Sequence, residues 1–221
     1  MVRFEGVTKG YRDTQTKVLE QVSFHIEPGQ MCFLTGESGS GKTTLLRLLL
    51  HDIEPDAGRI LVNGQDISKM RHKSIPAYRR KLGVIFQDYK LIPDKNVYQN
   101  VALTKIVAGA KEKDIRHYVL MALRMVDLEH KFDQMPSELS GGEQQRVCIA
   151  RAIVGNPYLI MADEPTGNLD PQNAREIMLL LEKIKNAIGS TVIVATHNIQ
   201  AVEEFGYPHL HLKYGRISKI E

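Results

Sequence analysis

The segment GESGSGKT, residues 36–43, constrains the fold of this 221-residue chain more than any other. It matches the pattern G-x-x-x-x-G-K-[ST], and it lies between the apolar runs MCFLT and TLLRLLL. The first run is typical of a buried strand and the second of a helix. Gly36, Gly39 and Gly41 permit a tight turn in which successive N–H groups point inward. The segment therefore predicts an α/β fold with a phosphate-binding loop.

The same loop predicts nucleotide binding. The N-terminus of the following helix adds roughly half a positive charge. Lys42 supplies a full charge to the β- and γ-phosphates, Thr43 a hydroxyl for Mg²⁺, and Thr44 a donor near the α-phosphate. The alternative, a glycine-rich turn that binds nothing, is disfavoured by the strand–loop–helix context. We expect nucleotide contacts from Gly36, Glu37, Ser38, Gly39, Ser40, Gly41, Lys42, Thr43 and Thr44.

A second motif, YLIMADEP, places two acids at the end of an apolar strand. Asp163 is suited to hold Mg²⁺, because hard cations prefer oxygen ligands. Glu164 follows it directly and could polarise an attacking water. Since phosphate-loop proteins need only the first acid, the pair indicates hydrolysis by the chain itself. The alternative for Glu164 is a surface acid at a strand end.

Three single residues gain meaning from their positions. Gln87 ends the apolar run LGVIF and could reach the metal or the water. His197 follows TVIVAT and could contact the γ-phosphate. Tyr11, in an early loop, could stack on adenine. Taken alone, each residue is more often structural.

The order of apolar runs predicts a helical block inside an α/β core. The runs LIMA and VIVA are continuously apolar, as in parallel strands buried on both faces. Helical periodicity appears at 113–128, 143–154 and 174–185. We therefore expect a nucleotide-binding core with a β subdomain and, inserted in it, a helical subdomain. The expected bounds are 1–87 and 158–221 for the core and 88–157 for the helical subdomain.

Composition narrows the possible partners. The net charge is only +3 and the sequence has no long run of lysine or arginine, so we expect no nucleic-acid partner. No apolar run reaches the ~20 residues of a membrane-spanning helix, and the first residues do not form a secretory signal. Cys32 and Cys148 lie in apolar runs and predict buried thiols. We expect a cytoplasmic chain without a membrane span of its own, whose link to a membrane runs through a partner.

Taken in order, Tyr11, GESGSGKT, Gln87, LSGGEQ (residues 139–144), LIMADE, GNLD and ATH resemble the nucleotide-binding domain of an ATP-binding-cassette (ABC) ATPase. The resemblance covers essentially the whole chain, and LSGGEQ before LIMADE is its most specific part. It implies a RecA-like parallel β-sheet core with an antiparallel β subdomain. It also implies an inserted α-helical subdomain that carries residues 139–144, called here the signature segment.

The resemblance implies ATP and Mg²⁺ as cofactors and a head-to-tail homodimer that forms with ATP. In such a dimer the signature segment binds the ATP of the partner, through Ser140, Gly141, Gly142 and Glu143. The resemblance also assigns catalytic roles: Glu164 as general base, His197 as γ-phosphate contact, and Gln87 as a link between metal and partner. Expected metal contacts are Thr43, Gln87 and Asp163. Expected residues for communication across the dimer are Asn168 and Asp170.

A narrower resemblance concerns the output. The strings ADEPTGNLD and LSGGEQQRVCIARAI are similar to a subgroup in which ATP energy moves an extracytoplasmic domain. Residues 79–103 point to its cell-division members, which act with an integral membrane partner to control cell-wall hydrolases. This implies a peripheral protein on the cytoplasmic face of the inner membrane, at the division site. The alternative is the ATPase subunit of a lipoprotein-release or drug-export transporter.

A third possibility, a soluble ABC ATPase acting on DNA or ribosomes, is disfavoured. Those proteins usually carry two cassettes or a long coiled coil, whereas this chain has one cassette and no heptad run.

The resemblance also places a groove for the partner's cytoplasmic helix in the segment after Gln87. Expected apolar contacts in this groove are Tyr89, Leu91, Ile92 and Tyr98. For Leu91 and Ile92, burial in the core is an equal alternative.

Overall fold

The computed structural model describes residues 1–11 and 17–220. These residues form two compact units, and each is described by itself. The first, called the β-rich unit, comprises residues 1–79 and 191–221 in so far as they are described. The second, called the helical unit, comprises residues 80–190. The predicted subdomain bounds, at 87/88 and 157/158, stay a prediction.

The β-rich unit contains an antiparallel sheet. Its strands in spatial order are β2 (Lys17–Ile26), β1 (Val2–Gly10), β4 (Ala57–Val62) and β5 (Gln65–Asp66). Val2, Phe4 and Val7 of β1 are buried, and the alternation through Phe4 predicts one face on the core. Phe4 stacks on Phe24 of β2 with ring centroids 4.6 Å apart. This cross-strand pair fixes the register where Phe4 lies opposite Phe24.

The β-rich unit also holds the parallel strands around residues 36–43. β3 (Met31–Thr35) pairs in parallel with β8 (Thr191–Ala195) on one side and β9 (His209–Lys213) on the other. β10 (Arg216–Ile220) pairs antiparallel with β9. Every residue of β3 and β8 is buried, as expected for strands covered on both faces. The helices of this unit are α1 (Lys42–Leu49), α2 (Ile75–Arg79) and α7 (Ile199–Phe205).

The helical unit consists of two parallel strands and four α-helices. β6 (Leu82–Ile85) pairs with β7 (Leu159–Asp163). The helices are α3 (Val97–Val107), α4 (Glu112–Met125), α5 (Gly141–Ile153) and α6 (Pro171–Ile188). α5 packs against α3, α4 and α6, and its central turns are buried. α5 begins at Gly141, inside the signature segment, and it has the largest share of buried residues among the helices of this unit.

The predicted α/β class, with parallel strands, a separate antiparallel sheet and a helical block, is confirmed. The three predicted helices exist as α4, α5 and α6. α3 and α7 were not predicted from the sequence, and Tyr214 and Gly215 form the turn between β9 and β10. Within residues 1–11 and 17–220, no helix has both the length and the apolar character needed to cross a membrane.

Candidate functional site

The phosphate loop follows β3 in the β-rich unit and depends on glycine. Gly36, Gly39 and Gly41 have φ of +147°, +78° and +110°, which side chains of L-residues rarely adopt. Space adds to the requirement at Gly36. A Cβ there would lie 2.3 Å from the carbonyl oxygen of Leu212 and 2.7 Å from Oγ of Ser40. The backbone can therefore take this path only without a side chain at that position.

The loop carries donors suited to phosphate. Lys42 is buried, and its Nζ donates to the carbonyl oxygens of Gly36 (2.7 Å) and Glu37 (3.2 Å). Within the part of the chain that the structure describes, no side chain caps the N-terminus of α1 at Gly41. Among those same residues, the buried Oγ of Ser40 has no hydrogen-bond partner. A triphosphate fits this set, since it supplies acceptors for an uncapped helix end and a buried hydroxyl.

Tyr11 and His197 also belong to the β-rich unit. The Tyr11 hydroxyl lies 3.4 Å from Oγ1 of Thr44 and accepts from Nη1 of Arg47 at 3.5 Å, so Tyr11 contacts α1 directly. His197 is exposed and comes two residues after Ala195. Ala195 pairs with Leu34, two residues before Gly36. Because parallel strands keep their register, His197 and the start of the phosphate loop lie at the same edge of this sheet.

The predicted catalytic acids lie in the helical unit together with Gln87. Ile85 of β6 is in register with Ala162 of β7, and Gln87 and Glu164 each come two residues after this pair, beyond the ends of the strands. The two side chains therefore leave the same sheet edge. A Cβ at Gly167 would lie 3.2 Å from Nε2 of Gln87 and 3.6 Å from Cβ of Glu164. Glu164 has φ of +47°, a conformation uncommon for a residue with a side chain.

The signature segment forms the start of α5. The exposed Ser140 is the N-cap, and its Oγ accepts from the backbone N–H of Glu143 at 3.3 Å. In return the Glu143 carboxylate accepts from the Ser140 N–H at 2.9 Å and from Lys131 Nζ at 2.5 Å. Lys131 and this capping box hold the pKa of Glu143 below its usual value. Glu143 therefore fixes the orientation of Ser140 within its own chain.

The two glycines of the signature segment are closely approached by neighbours in the helical unit. A Cβ at Gly141 would lie 3.2 Å from the hydroxyl oxygen of Tyr89. At Gly142 it would lie 3.2 Å from Oδ1 of Asn173. Both distances are shorter than ordinary van der Waals contact, so these glycines serve the packing of the chain itself as well as any ligand.

Asn168 and Asp170, expected to communicate across a dimer, make contacts within the helical unit. Asn168 Nδ2 donates to the carbonyl oxygen of Gln87 at 3.0 Å. Asp170 is the N-cap of α6 and accepts from the N–H groups of Gln172 and Asn173, both at 3.1 Å. The hydrogen bond from the Asn173 side chain lowers the pKa of Asp170 most. The segment after Glu164 is thus tied to Gln87 on one side and to α6 on the other.

In residues 1–11 and 17–220, no group of three or more His, Cys, Asp or Glu side chains is arranged to hold a metal. Mg²⁺ in nucleotide sites is typically held by one or two protein ligands together with phosphate oxygens and water. The hydroxyl of Thr43 in the β-rich unit and the carboxylate of Asp163 in the helical unit are each a ligand type that Mg²⁺ accepts. The residues present are therefore compatible with Mg²⁺ that arrives with a nucleotide, and less so with a site built from protein ligands alone.

Comparison with known proteins decides the family. A family profile described as ABC transporter matches residues 19–167. The chain belongs to the ABC transporter family. Its relatives include the cell division ATP-binding protein FtsE of Streptococcus pneumoniae serotype 2, 44% identical over 100% of this chain and 95% of the relative. FtsE of Escherichia coli K12 is 46% identical over 98% of this chain and 97% of the relative.

A solved structure supports the same assignment. The dimeric post-hydrolysis state of the ATP-binding cassette MJ0796, bound to ADP and Pi, has a TM-score of 0.89 and 35% identity. The comparison covers 100% of this chain and 98% of that one. These similarities confirm the predicted ABC ATPase fold and the resemblance to FtsE. This member of the ABC transporter family is therefore an ATP-binding ATPase.

The predicted partner groove of this ABC ATPase is neither fully buried nor fully exposed. Tyr89, Leu91, Ile92 and Tyr98 are all half-buried. For Leu91 and Ile92, half-burial does not decide between contact with a partner and a place in the core. Contact with a partner stays a prediction.

The sequence reading missed Asn100 as an organiser of this groove. Asn100 is fully buried in α3, and its Oδ1 accepts from the Ile92 N–H at 2.8 Å. Its Nδ2 donates to the carbonyl oxygens of Ile92 (3.1 Å), Lys95 (2.7 Å) and Asn96 (3.1 Å). The spacing of Val97, Asn100 and Val101 offered a signal, because it puts Asn100 on the buried face of a helix.

Replacing Asn100 with leucine removes all four hydrogen bonds at nearly constant volume. We expect the free energy of unfolding to fall by about 3 kcal/mol, since buried backbone groups lose their partners. Amide exchange at residues 92–96 should accelerate as well. Urea unfolding and hydrogen-exchange mass spectrometry measure the two effects. Gln99→Ala, which removes one exposed capping bond on the same helix, is the control; equal effects in both variants would contradict the assignment.

Gln145 was also missed. It is fully buried in α5, and its Nε2 donates to the carbonyl oxygen of Pro165 at 2.8 Å. Its Oε1 has no hydrogen-bond partner among the residues described. Pro165 directly follows Glu164, so Gln145 connects the signature helix to the segment that presents Glu164. A signal was present here too, because Gln145, Cys148 and Ile149 are spaced as one helical stripe.

Proposed function

We propose that this ABC ATPase is the ATP-hydrolysing subunit of a bacterial cell-division complex of the FtsE type. Its full-length similarity to FtsE of distantly related bacteria carries this proposal. The subunit acts with an integral membrane protein like FtsX. Closure of an ATP-bound dimer is transmitted through that protein, across the membrane, to control cell-wall hydrolases.

ATP binds through the β-rich unit and Mg²⁺ accompanies it. Lys42 and the N–H groups of residues 36–44 neutralise and orient the phosphates, while Tyr11 stacks on adenine. The buried Ser40 hydroxyl and the uncapped start of α1 support this role. Thr43, Gln87 and Asp163 hold the metal. When bound, Mg²⁺ offsets the negative charge on the β- and γ-phosphates during transfer.

Hydrolysis depends on Glu164, His197 and Gln87. Glu164 accepts the proton of the attacking water as general base, which is typically worth 10² to 10⁴ in rate. His197 contacts the γ-phosphate. Gln87 senses the metal and reports its position to the partner through the following loop. The shared sheet edge of Gln87 and Glu164 supports a joint role for these two residues.

The signature segment acts in trans in a head-to-tail homodimer. Ser140 and the N–H groups of Gly141 and Gly142 contact the γ-phosphate bound by the other subunit, and Glu143 keeps Ser140 in position. The exposed Ser140 at the start of a helix supports this role, because such an end favours anions. Asn168 and Asp170 communicate between the two subunits. The dimeric structural relative supports this form of assembly.

The partner's cytoplasmic helix docks in the groove of Tyr89, Leu91, Ile92 and Tyr98. Through this contact the chain is held at the cytoplasmic face of the inner membrane, at the division site. The half-buried apolar side chains of the groove support a helix-in-groove contact.

A fluorescently tagged copy, expressed in place of the native one in dividing cells, tests the division role. A band at the division site that disappears when the FtsX-like partner is deleted is the expected result. An even signal around the envelope would contradict it and favour a lipoprotein-release or drug-export subunit of the LolD or MacB kind.

Replacing Ser140 with arginine tests the role in trans. The added side chain and charge obstruct the partner's approach, so we expect ATP-dependent dimerisation and hydrolysis to be lost. ATP affinity of the monomer should stay within about twofold, since the phosphate loop is unchanged. Size-exclusion chromatography with ATP and a nucleotide-binding assay measure both. The matched control is Met121→Arg, at a side chain that is 46% exposed on α4. Loss of ATP binding by the Ser140→Arg monomer would refute the trans role.

A further inference from the structure

The loop after Gln87 contains two consecutive residues in the left-handed region. Tyr89 and Lys90 have φ of +60° and +50°, and neither is glycine. Such conformations are disfavoured for residues with side chains and persist only where surrounding contacts impose them. Something in the helical unit must therefore hold the backbone at Tyr89 and Lys90.

The contacts come from α5. Arg151 Nη2 donates to the Tyr89 carbonyl oxygen at 2.6 Å, and Nη1 donates to the Lys90 carbonyl oxygen at 2.5 Å. The fork of the guanidinium therefore spans the two strained residues. The Cys148 thiol also donates to the Tyr89 carbonyl oxygen, at 2.8 Å. Burial raises the pKa of this thiol to about 12, so it keeps its proton at neutral pH.

The same tyrosine reaches the other end of α5. Its hydroxyl oxygen lies 3.2 Å from the position of a Cβ at Gly141, next to Ser140. The backbone of Tyr89 is thus held at the turn of Arg151, and its side chain lies beside the signature segment. Asn168 adds a third contact, to the carbonyl oxygen of Gln87.

We propose that Arg151 is a positioning residue that holds the 87–90 loop on the signature helix, so that Gln87 and Ser140 keep a fixed geometry. This rests on the proposed function, because it takes Ser140 as the ATP contact in trans. A guanidinium suits the task, since two carbonyls one residue apart need a planar donor with two N–H groups. A shift at Tyr89, which belongs to the proposed partner groove, is thereby transmitted to the segment that closes the dimer.

Arg151→Met removes both donors and keeps the aliphatic stem. We expect kcat to fall about tenfold while the KM for ATP stays within about twofold, because the phosphate loop belongs to the other unit. Amide exchange should accelerate at residues 89–92 and not across α3 to α6. Arg151→Lys, which can reach one carbonyl at a time, should recover part of both effects. Arg124→Met is the control, since the guanidinium of the exposed Arg124 pairs with the carboxylate of Glu129.

The decisive experiment measures kcat, KM and hydrogen exchange on the purified full-length variants. The proposal is supported if kcat falls, if amide exchange accelerates only at residues 89–92, and if Arg151→Lys recovers part of both effects. Values equal to those of Arg124→Met overturn it, and so does faster exchange throughout the helical unit, which indicates a merely structural role. Failure of the trans assignment shows separately, as a Ser140→Arg chain with Arg151 intact that loses ATP binding as a monomer. The exchange measurement needs no dimer and tests the Arg151 contact in that case too.

Discussion

We expect Lys42→Ala to abolish measurable ATP binding. Lys42 is only 8% exposed, and its ammonium already donates to two carbonyls of the phosphate loop. Alanine removes the only side-chain cation inside residues 36–43, a part of the chain that the structure describes in full. Loss of charge-assisted hydrogen bonds to phosphate corresponds to about 3 kcal/mol or more, and so to roughly a hundredfold in affinity.

Isothermal titration with ATP measures the loss, and a urea unfolding curve shows whether the fold survives. The control is Lys183→Ala, which removes an exposed lysine on α6. Unchanged ATP affinity in a folded Lys42→Ala chain would refute the assignment of the phosphate loop.

Glu164→Gln is expected to bind ATP and to accumulate as a dimer that does not turn over. Glutamine has nearly the same size as glutamate, and it adopts the φ of +47° at this position with the same difficulty. The neighbouring contacts are therefore retained and only the basic carboxylate is lost. Without a general base we expect hydrolysis to fall by about 10² to 10⁴. Because hydrolysis separates the subunits in the proposed cycle, the ATP-bound dimer should persist.

Phosphate release and size-exclusion chromatography with ATP measure the two consequences. Glu203→Gln, an exposed change on α7, should leave both at the level of the unaltered chain. Normal turnover by Glu164→Gln would reject Glu164 as the base. A variant that neither turns over nor dimerises would instead show that Glu164 is needed before dimer closure.

Local motifs were readable from the sequence because their function depends on neighbours in the chain. The strand before residue 36, the glycines of the loop and the helix after it are contiguous, and the structure has all three as predicted. The acid pair at the end of β7 was readable for the same reason. α3 was missed because its apolar residues are spread around the helix instead of forming one stripe, with Ile106 and Val107 exposed, and because Asn100 on its buried face reads as polar surface.

The sequence by itself determined the family, the phosphate loop and the acid pair. These depend on short-range geometry that glycine, lysine and two carboxylates impose wherever they occur in this order. Only the tertiary structure decided how the loops are held. Asn100 holds residues 92–96, Gln145 holds Pro165, and Arg151 holds Tyr89 and Lys90. The last two contacts join residues 20 and 62 positions apart, and they form only after the helices have packed, so no local pattern specifies them.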